Sequence, residues 1–263
     1  MKCLPLKFFI FILLQSHFIF AQYVLSDSIA LKGSHFSHLQ SNAIGDVFLI
    51  ADDQQLLKID QHKKLKTYPL KKLVSQLDTH LSLRTAVGYN FQEIEFLDDQ
   101  LNPIQDRIYF NQYQIYPSAV IIADSQLLWY FDPIEQRLIQ WNYQLKTTIS
   151  KSNMLFFKDG DTTITDIYAI KNSIFLKSQN WMYEYDVFGN FKSEIPLKPH
   201  LKHVFRDDFI HLLDEQNLTS INLLTKNIST MDNFFNGKDF TMSNDQLFVI
   251  KNKGLYIYTR IKK

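Results

Sequence analysis

The stretch that decides the fold is Gly45-Asp46-Val47-Phe48-Leu49-Ile50-Ala51-Asp52-Asp53-Gln54-Gln55-Leu56-Leu57-Lys58-Ile59-Asp60, which is followed by an apolar run from Leu65 to Leu70. Turn-forming residues separate the apolar segments, and this pattern predicts three short strands joined by two turns. Val47 to Ile50 is continuously apolar, whereas a strand with one wet face should alternate. We therefore expect this strand to be buried on both faces.

The same unit recurs five more times along the chain. The six copies begin at Asp46, Arg84, Ser125, Asn172, Asp208 and Asp245, at intervals of 36 to 47 residues. A further short extended run precedes each copy: Ser37 to Gln40, Leu73 to Leu77, Ala119 to Ala123, Asp166 to Ile170, His203 to Phe205, and Phe240 to Met242. Outer strands are expected after five of them: Leu65 to Leu70, Ile104 to Phe110, Leu145 to Ser150, Phe191 to Leu197, and Leu224 to Thr230. This spacing predicts an all-β, six-bladed β-propeller with four strands per blade.

Two segments interrupt the repeat. The leucines and valine between residues 70 and 81 also fit helical spacing, so an amphipathic helix competes with the innermost strand there. The longest interval contains Lys158-Asp159-Gly160-Asp161-Thr162, which we interpret as an insertion loop between the third and fourth blades. That loop lacks the alternating ligands and terminal Glu of a calcium-binding loop, which favours a simple turn.

The chain ends bear on how the ring closes. The last copy stops at Thr259 and leaves four residues, too few for an outer strand, while Tyr23 to Leu31 has no blade of its own. We predict that this N-terminal segment supplies the missing strand of the last blade. Closure of this kind removes open sheet edges that invite aggregation.

The opening unit resembles the blade pattern of six-bladed β-propellers of the NHL-like type, and the later copies keep its spacing and, except for the last, which closes at Thr259, the closing Asp or Asn. The chain is also similar to small secreted propeller proteins of bacterial envelopes that have no assigned activity. The resemblance implies one propeller domain over residues 22–263. Propellers host enzymes, ligand binders and scaffolds, so the fold does not choose a function.

Residues 1–21 have the order of a cleaved secretory signal, with Lys2 and Lys7 before an apolar stretch and Ala21 at the cut. Polar residues at positions 15–17 interrupt the apolar run, which falls short of the roughly 20 residues a membrane span needs. We expect cleavage after Ala21, export to the periplasm or the extracellular space, and no transmembrane segment in the mature chain.

The mature chain would contain 26 basic and 27 acidic residues and no cysteine, because Cys3 is removed with the signal. A nearly neutral chain has no broad electrostatic surface for nucleic acid. Without cysteine, disulfides, zinc–thiolate sites and thiol nucleophiles are excluded. We also expect a monomer.

Polar residues follow each innermost strand and are the first candidates for chemistry: Asn42, Asp78, Asp124, Asn172, Asp207 with Asp208, and Asn244 with Asp245. If they gather at one end of a central channel, their oxygens could hold calcium. The alternative is that Asn and Asp are preferred at tight turns because they bond to the local backbone.

Histidine and tryptophan supply the remaining candidates. The pairs His35 with His38 and His200 with His203 do not share a face on strands or loops, so we expect solvated or singly bonded histidines. The three tryptophans, at positions 129, 141 and 181, lie in predicted strands, where aromatic side chains fill the space between blades. Exposure of at least two on one face would instead indicate carbohydrate binding.

The sequence thus predicts a non-catalytic, exported binding or interaction scaffold whose partner is an unknown protein or small ligand. It assigns no catalytic, cofactor-binding or metal-binding residue and no cofactor. The alternative is a metal-dependent hydrolase or lyase that uses Asp78, Asp124 and Asp207 or Asp208 at the channel mouth. No nucleophile elbow, phosphate-binding glycine loop or dinucleotide fingerprint occurs in the sequence.

Overall fold

The computed structural model describes residues 23–81, 83–198, 200, 202–214, 217–231, 239–243 and 245–260. Within these residues, 24 strands form six four-stranded antiparallel sheets, and one 3-10 helix covers Phe110–Tyr113. The predicted all-β, six-bladed propeller is confirmed. The predicted signal peptide, residues 1–21, lies outside the described residues.

In chain order the strands are β1 Tyr23–Ala30, β2 Phe36–Ser41, β3 Val47–Ala51, β4 Gln55–Ile59, β5 Leu65–Pro69, β6 Val74–Asp78, β7 Arg84–Tyr89, β8 Glu93–Asp98, β9 Ile108–Tyr109, β10 Ala119–Ile122, β11 Leu127–Asp132 and β12 Arg137–Asn142. They continue with β13 Thr147–Lys151, β14 Asp166–Ile170, β15 Ser173–Lys177, β16 Trp181–Asp186, β17 Phe191–Pro196, β18 Lys202–Arg206, β19 Phe209–Leu213, β20 Leu218–Asn222, β21 Ile228–Met231, β22 Asp239–Ser243, β23 Gln246–Lys251 and β24 Gly254–Arg260.

Each of the first five sheets, or blades, uses four consecutive strands, from β2–β5 to β18–β21. The sixth blade has the order β22-β23-β24-β1. Tyr23 lies opposite Arg260 and Ala30 lies opposite Gly254, so β1 is the outer strand of the last blade. This pairing is observed directly, whereas the start of the mature chain at Gln22 remains a prediction.

Six apolar clusters fill the six boundaries between blades. Leu49 and Leu57 of the first blade pack with Phe248 and Ile250 of the sixth in one of them, so the ring is closed by packing as well as by pairing. The other five join consecutive blades. All five residues of β3 are buried, because its two faces belong to two different clusters. Burial on both faces therefore explains its continuous apolar run, as the sequence predicts.

Two of the sequence-based expectations needed the structure to settle them. Residues 74–78 form strand β6 and pair with β7, so the helical alternative for this segment is wrong. The outer strand expected over residues 104–110 shrinks to β9, with one isolated bridge between Leu97 and Pro103. Ile104 still donates to the Phe96 carbonyl at 2.9 Å, so the ladder is interrupted between residues 104 and 108, and Phe110 turns into the core with 1% exposure.

Candidate functional site

The six innermost strands, β2, β6, β10, β14, β18 and β22, surround a central channel with a volume of about 640 Å³. Because all six blades have the same up-and-down order, these strands run in one direction. Their first residues meet at one end of the channel, which we call the N-terminal mouth and which contains Asp166, Lys202 and His203. Their last residues meet at the other end, the C-terminal mouth, which contains Asp78 and Asp207.

Side chains cross-link the channel wall from one blade to the next. Gln40 of β2 donates its amide to the Leu77 carbonyl of β6 at 2.6 Å. In turn, Asp78 at the end of β6 accepts the Ile122 amide of β10 at 3.1 Å. Such bonds satisfy polar groups that would otherwise be buried without partners, and they hold neighbouring innermost strands in register.

The polar residues predicted at the ends of the innermost strands mostly serve their own turns. The Asn42 side chain accepts the Asp46 amide at 2.9 Å, and Asp124 accepts the amides of Gln126 and Leu127 at 2.7 and 2.8 Å. Asn172 is exposed, and Asn244 lies outside the described residues. Asn and Asp side chains commonly make such hydrogen bonds to the backbone of their own turns.

Three members of the predicted set do line the channel: Asp78, Asp207 and Asp208. Asp208 is paired with Lys171 at 2.8 Å, and Asp207 is 72% exposed with a left-handed backbone (φ 51°) in the turn after β18. Across the part of the chain that the structure describes, no three His, Cys, Asp or Glu side chains come together as a metal site. The ligand set required by the metal-dependent alternative is therefore not assembled by these residues.

A carboxylate–imidazole pair occupies the C-terminal mouth. Asp78 Oδ1 lies 2.6 Å from His80 Nδ1, and both residues line the channel. Burial opposes charge on each partner, but their mutual attraction outweighs it: the pKa of Asp78 is lowered and the pKa of His80 is raised. Bonding through Nδ1 leaves His80 Nε2 as the nitrogen available for exchange with a ligand.

The N-terminal mouth holds a larger ionisable cluster. His203 Nε2 lies 3.5 Å from Asp166 Oδ2 and 3.4 Å from the Tyr168 hydroxyl. His200 packs edge-on against His203, with ring centroids 5.6 Å apart. Burial lowers the pKa of His203 well below its ordinary value, against the attraction of Asp166. Of the two expected states, solvated or singly bonded, His203 shows the second, with one hydrogen-bond partner in Tyr168 and Asp166 close by.

Two lysines flank this cluster. Lys202 Nζ lies 3.1 and 3.2 Å from the two carboxylate oxygens of Asp239, which places a compact ion pair between the fifth and sixth blades. Lys177 is 7% exposed and lies 4.0 Å from Asp166 Oδ2. Burial lowers the pKa of Lys177, because an ammonium group loses hydration there.

His38 enters the channel through an irregularity of β2. The register against β3 shifts between Ser37 and Gln40, and His38 has a left-handed backbone (φ 54°). A non-glycine residue in that conformation costs roughly 1 kcal/mol or more, and such strain clusters at functional positions. Burial, assisted by Lys202, lowers the pKa of His38 and keeps its imidazole neutral. The sequence contains no turn signal at this position, so the bulge could not be read from it.

The remaining candidates are structural. Trp129 and Trp141 are 1% and 2% exposed, and Trp181 is half-buried, which removes the basis for a carbohydrate-binding platform. Asp161 of the insertion loop is buried and accepts the Asn180 side-chain amide at 2.9 Å, so it ties the loop to the fourth blade. His35 is exposed, 3.9 Å from Asp53.

Comparison with known proteins supports the fold and leaves the function open. The chain is a six-bladed β-propeller. No family model matches its sequence, and no curated protein matches it. It is similar in structure to virginiamycin B lyase from Staphylococcus aureus, with a TM-score of 0.62 and 9% identity over 91% of this chain and 100% of the lyase chain.

Two further solved structures share the architecture. BamB from Moraxella catarrhalis has a TM-score of 0.54 and 10% identity, covering 92% of this chain and 99% of the BamB chain. The Pan2 WD40 domain of Neurospora crassa has a TM-score of 0.56 and 7% identity, covering 92% and 96% of the two chains. At these identities the likeness concerns the fold alone. Among the described residues, no helix is both long and apolar enough to cross a membrane.

Proposed function

We propose that this protein is a non-catalytic β-propeller scaffold of the NHL-like type that binds a small polar ligand in its central channel. Its mature form comprises residues 22–263 as one domain, is exported to the periplasm or outside the cell, and is a monomer. Export is supported by the basic start, the apolar stretch and the small residue at position 21.

The observation that carries this proposal is a preformed cavity with a cross-linked wall. Side-chain bonds join the wall between the first and second blades and between the second and third. A further bond, from the Ser41 hydroxyl to the Met242 carbonyl at 2.6 Å, joins the first blade to the sixth. A volume of about 640 Å³ lies within the roughly 300–1,000 Å³ typical of small-molecule sites. A rigid cavity loses little freedom on binding, which favours a binding role.

The comparisons support an interaction role in general terms, because BamB and a WD40 domain share the fold. Virginiamycin B lyase shows that the same fold also carries an enzyme. We favour the scaffold because three of the channel carboxylates are committed to neighbours: Asp78 to His80, Asp208 to Lys171, and Asp166 to His203 and Thr165.

The test is a thermal-shift panel of carboxylates, phosphates, sugars and short peptides, run beside a turnover assay on esters, lactones and glycans. We expect at least one class to raise the melting temperature and no substrate to be consumed. Turnover that disappears in Asp78→Asn would refute the non-catalytic role. Asp124→Asn is the matched control, because Asp124 is a turn residue.

Export, domain organisation and oligomeric state have their own checks. N-terminal sequencing of the protein recovered from the producing cell should begin at Gln22. Light scattering should give one species with the mass of residues 22–263. A start at Met1 would contradict cleavage, and a dimer mass would contradict the monomer.

A second candidate function, a hydrolase or lyase, is favoured by the Asp78–His80 pair. Asp78 orients the imidazole through Nδ1, which is the arrangement that a general base uses. In this alternative, His80 would take a proton from a substrate or from water in the channel. His80→Gln should then abolish turnover, while a scaffold would keep its ligand-induced thermal shift.

A further inference from the structure

We propose that the N-terminal mouth of the channel holds the carboxylate or phosphate group of a small organic anion, whose planar carbon body lies along Tyr168 and Phe205. The inference deepens the proposed binding function and rests on it. It assigns the ligand to the mouth opposite the Asp78–His80 pair.

The first argument is a buried ammonium group that lacks close acidic partners. Lys177 is 7% exposed, and among the described residues it donates one hydrogen bond, to the Ser178 carbonyl at 3.2 Å. Asp166, the nearest carboxylate, is 4.0 Å away and also accepts the Thr165 hydroxyl at 2.9 Å. An ammonium has three donors, and a buried charge is costly unless it is well paired. Lys177 is not itself a lining residue of the channel, but its neighbour Asp166 is, and a ligand oxyanion at that edge of the mouth would supply the missing acceptor.

The second argument is the pair of imidazoles beside that ammonium. His200 Nδ1 lies 2.8 Å from the Lys198 carbonyl, which makes Nδ1 a donor in the neutral ring and leaves Nε2 as an acceptor. The His203 ring packs against it at 5.6 Å. Both rings are kept neutral by burial, and nearby Lys177 adds to this effect. An anion would reverse the balance, so that each imidazole could take up a proton and donate to the ligand.

The aromatic wall indicates that the anion is organic. Tyr168 and Phe205 stack on one another and both line the channel. The channel volume of about 640 Å³ exceeds what an inorganic anion fills. Lys202 is held by both oxygens of Asp239. It therefore adds positive potential at this mouth without donating a hydrogen bond to the ligand.

The charges around His203 decide how binding depends on pH. The groups that face it are Asp166 and Tyr168 of β14, Lys177 of β15, His200 of the loop before β18, and Lys202 of β18, whose partner Asp239 belongs to β22. An added anion favours the imidazolium, so the pKa of His203 rises on binding. Binding therefore takes up protons, and affinity increases as the pH falls through the raised pKa values of the imidazoles.

The experiment is isothermal titration calorimetry of the purified protein with benzoate and phenyl phosphate, beside acetate, inorganic phosphate and the neutral analogue benzamide. We expect one aromatic anion to bind at least tenfold more tightly than its small counterpart and than benzamide. Whichever of benzoate and phenyl phosphate is tighter identifies the preferred head group. Affinity should rise at least threefold from pH 8 to pH 6, with proton uptake seen in buffers of different ionisation enthalpy.

Variants locate the site. Lys177→Met should weaken binding at least tenfold, whereas Lys171→Met, at the other mouth and paired with Asp208, should leave it unchanged. Should Lys177→Met fail to fold, His200→Gln serves in its place, because His200 is only half-buried. It should lower affinity at pH 6 at least threefold and reduce proton uptake, with little change at pH 8.

Three results would overturn the inference: benzamide binding as tightly as benzoate, equal losses in the two lysine variants, or no binding of either aromatic anion. If sugars or peptides stabilise the protein while the anions do not bind, the anion site is refuted and the scaffold function stands. If turnover occurs, the scaffold function fails independently of this titration.

Discussion

Glu184 allows the sharpest test of how the blades are held together. Its carboxylate is 6% exposed on β16 and accepts hydrogen bonds from Lys192, Ser193 and Ser173 of its own blade, at 2.5, 2.7 and 2.9 Å. Lys226, in the turn after β20 of the fifth blade, donates a fourth at 2.8 Å. The carboxylate is therefore a fixed electrostatic link between two blades.

The magnitude follows from the ionisation of this group. Burial opposes the charged form, but hydrogen bonds from Lys192, Lys226 and the two serines outweigh it and lower the pKa of Glu184 from 4.5 to about 2. A depressed pKa stabilises the fold above the unfolded-state value, and the gain is lost as pH falls from 4.5 toward 2. At about 1.36 kcal/mol per pKa unit, the ionised carboxylate contributes roughly 3 kcal/mol at pH 7 and about 2 kcal/mol less at pH 3.

The assay is urea denaturation of the wild type and Glu184→Gln at pH 7 and at pH 3. The difference in unfolding free energy between them should be about 3 kcal/mol at pH 7 and should shrink by about 2 kcal/mol at pH 3. Subtracting the variant removes the contributions of other carboxylates. Glu135→Gln, at an exposed pair with Lys151, is the control and should change stability by less than about 1 kcal/mol. A difference that is independent of pH, or below about 1 kcal/mol at pH 7, would refute the reasoning.

Three other predictions concern stability and can be measured by the same denaturation assay. Lys58→Met should lower the free energy of unfolding by about 3–5 kcal/mol, because Lys58 is 2% exposed and its ammonium pairs with the buried Asp46 carboxylate at 2.8 Å. A loss below about 1 kcal/mol would contradict this. Gly189→Ala should lower the free energy of unfolding by about 1 kcal/mol more than Gly160→Ala does. Both glycines have φ near +84°, but a Cβ at Gly189 meets backbone at 3.4 Å, whereas one at Gly160 meets nothing within 4 Å. Equal losses of stability in the two variants would contradict this prediction. Deletion of residues 23–30 should lower the denaturation midpoint and promote aggregation, visible by light scattering, because β24 becomes an open edge; an unchanged midpoint would show that β1 does not close the ring.

The repeat was readable from sequence because packing imposes it. Strands such as β3 and β11 belong to blades that have a neighbouring blade on each face, so they must be apolar on both faces. Their continuous apolar runs therefore indicate the architecture directly. The shortening of β9 was not readable in the same way. Outer strands are bonded on one side only, so a few residues, here those between 104 and 108, can leave the ladder without disturbing the rest of the blade.

The candidate site was much less predictable. Asp78 was identified from the turn that follows an innermost strand, but its pairing with His80 depends on side-chain geometry that spacing does not encode. The cluster at the N-terminal mouth joins Asp166 and Lys177 of the fourth blade to His203 of the fifth. Such contacts between distant parts of the chain leave no local pattern.

The stretch that decides the fold and the residues that line the channel are different parts of the same blade. Residues 45–60 supply the packed middle strands, whereas the first blade's share of the lining falls at residues 38–43. Innermost strands face the channel and escape the packing that keeps the middle strands alike. Departures from the repeat are thus tolerated where a ligand can reach them, and the left-handed His38 is one such departure. In a β-propeller, the strands that follow the repeat least are therefore the place where function should be sought.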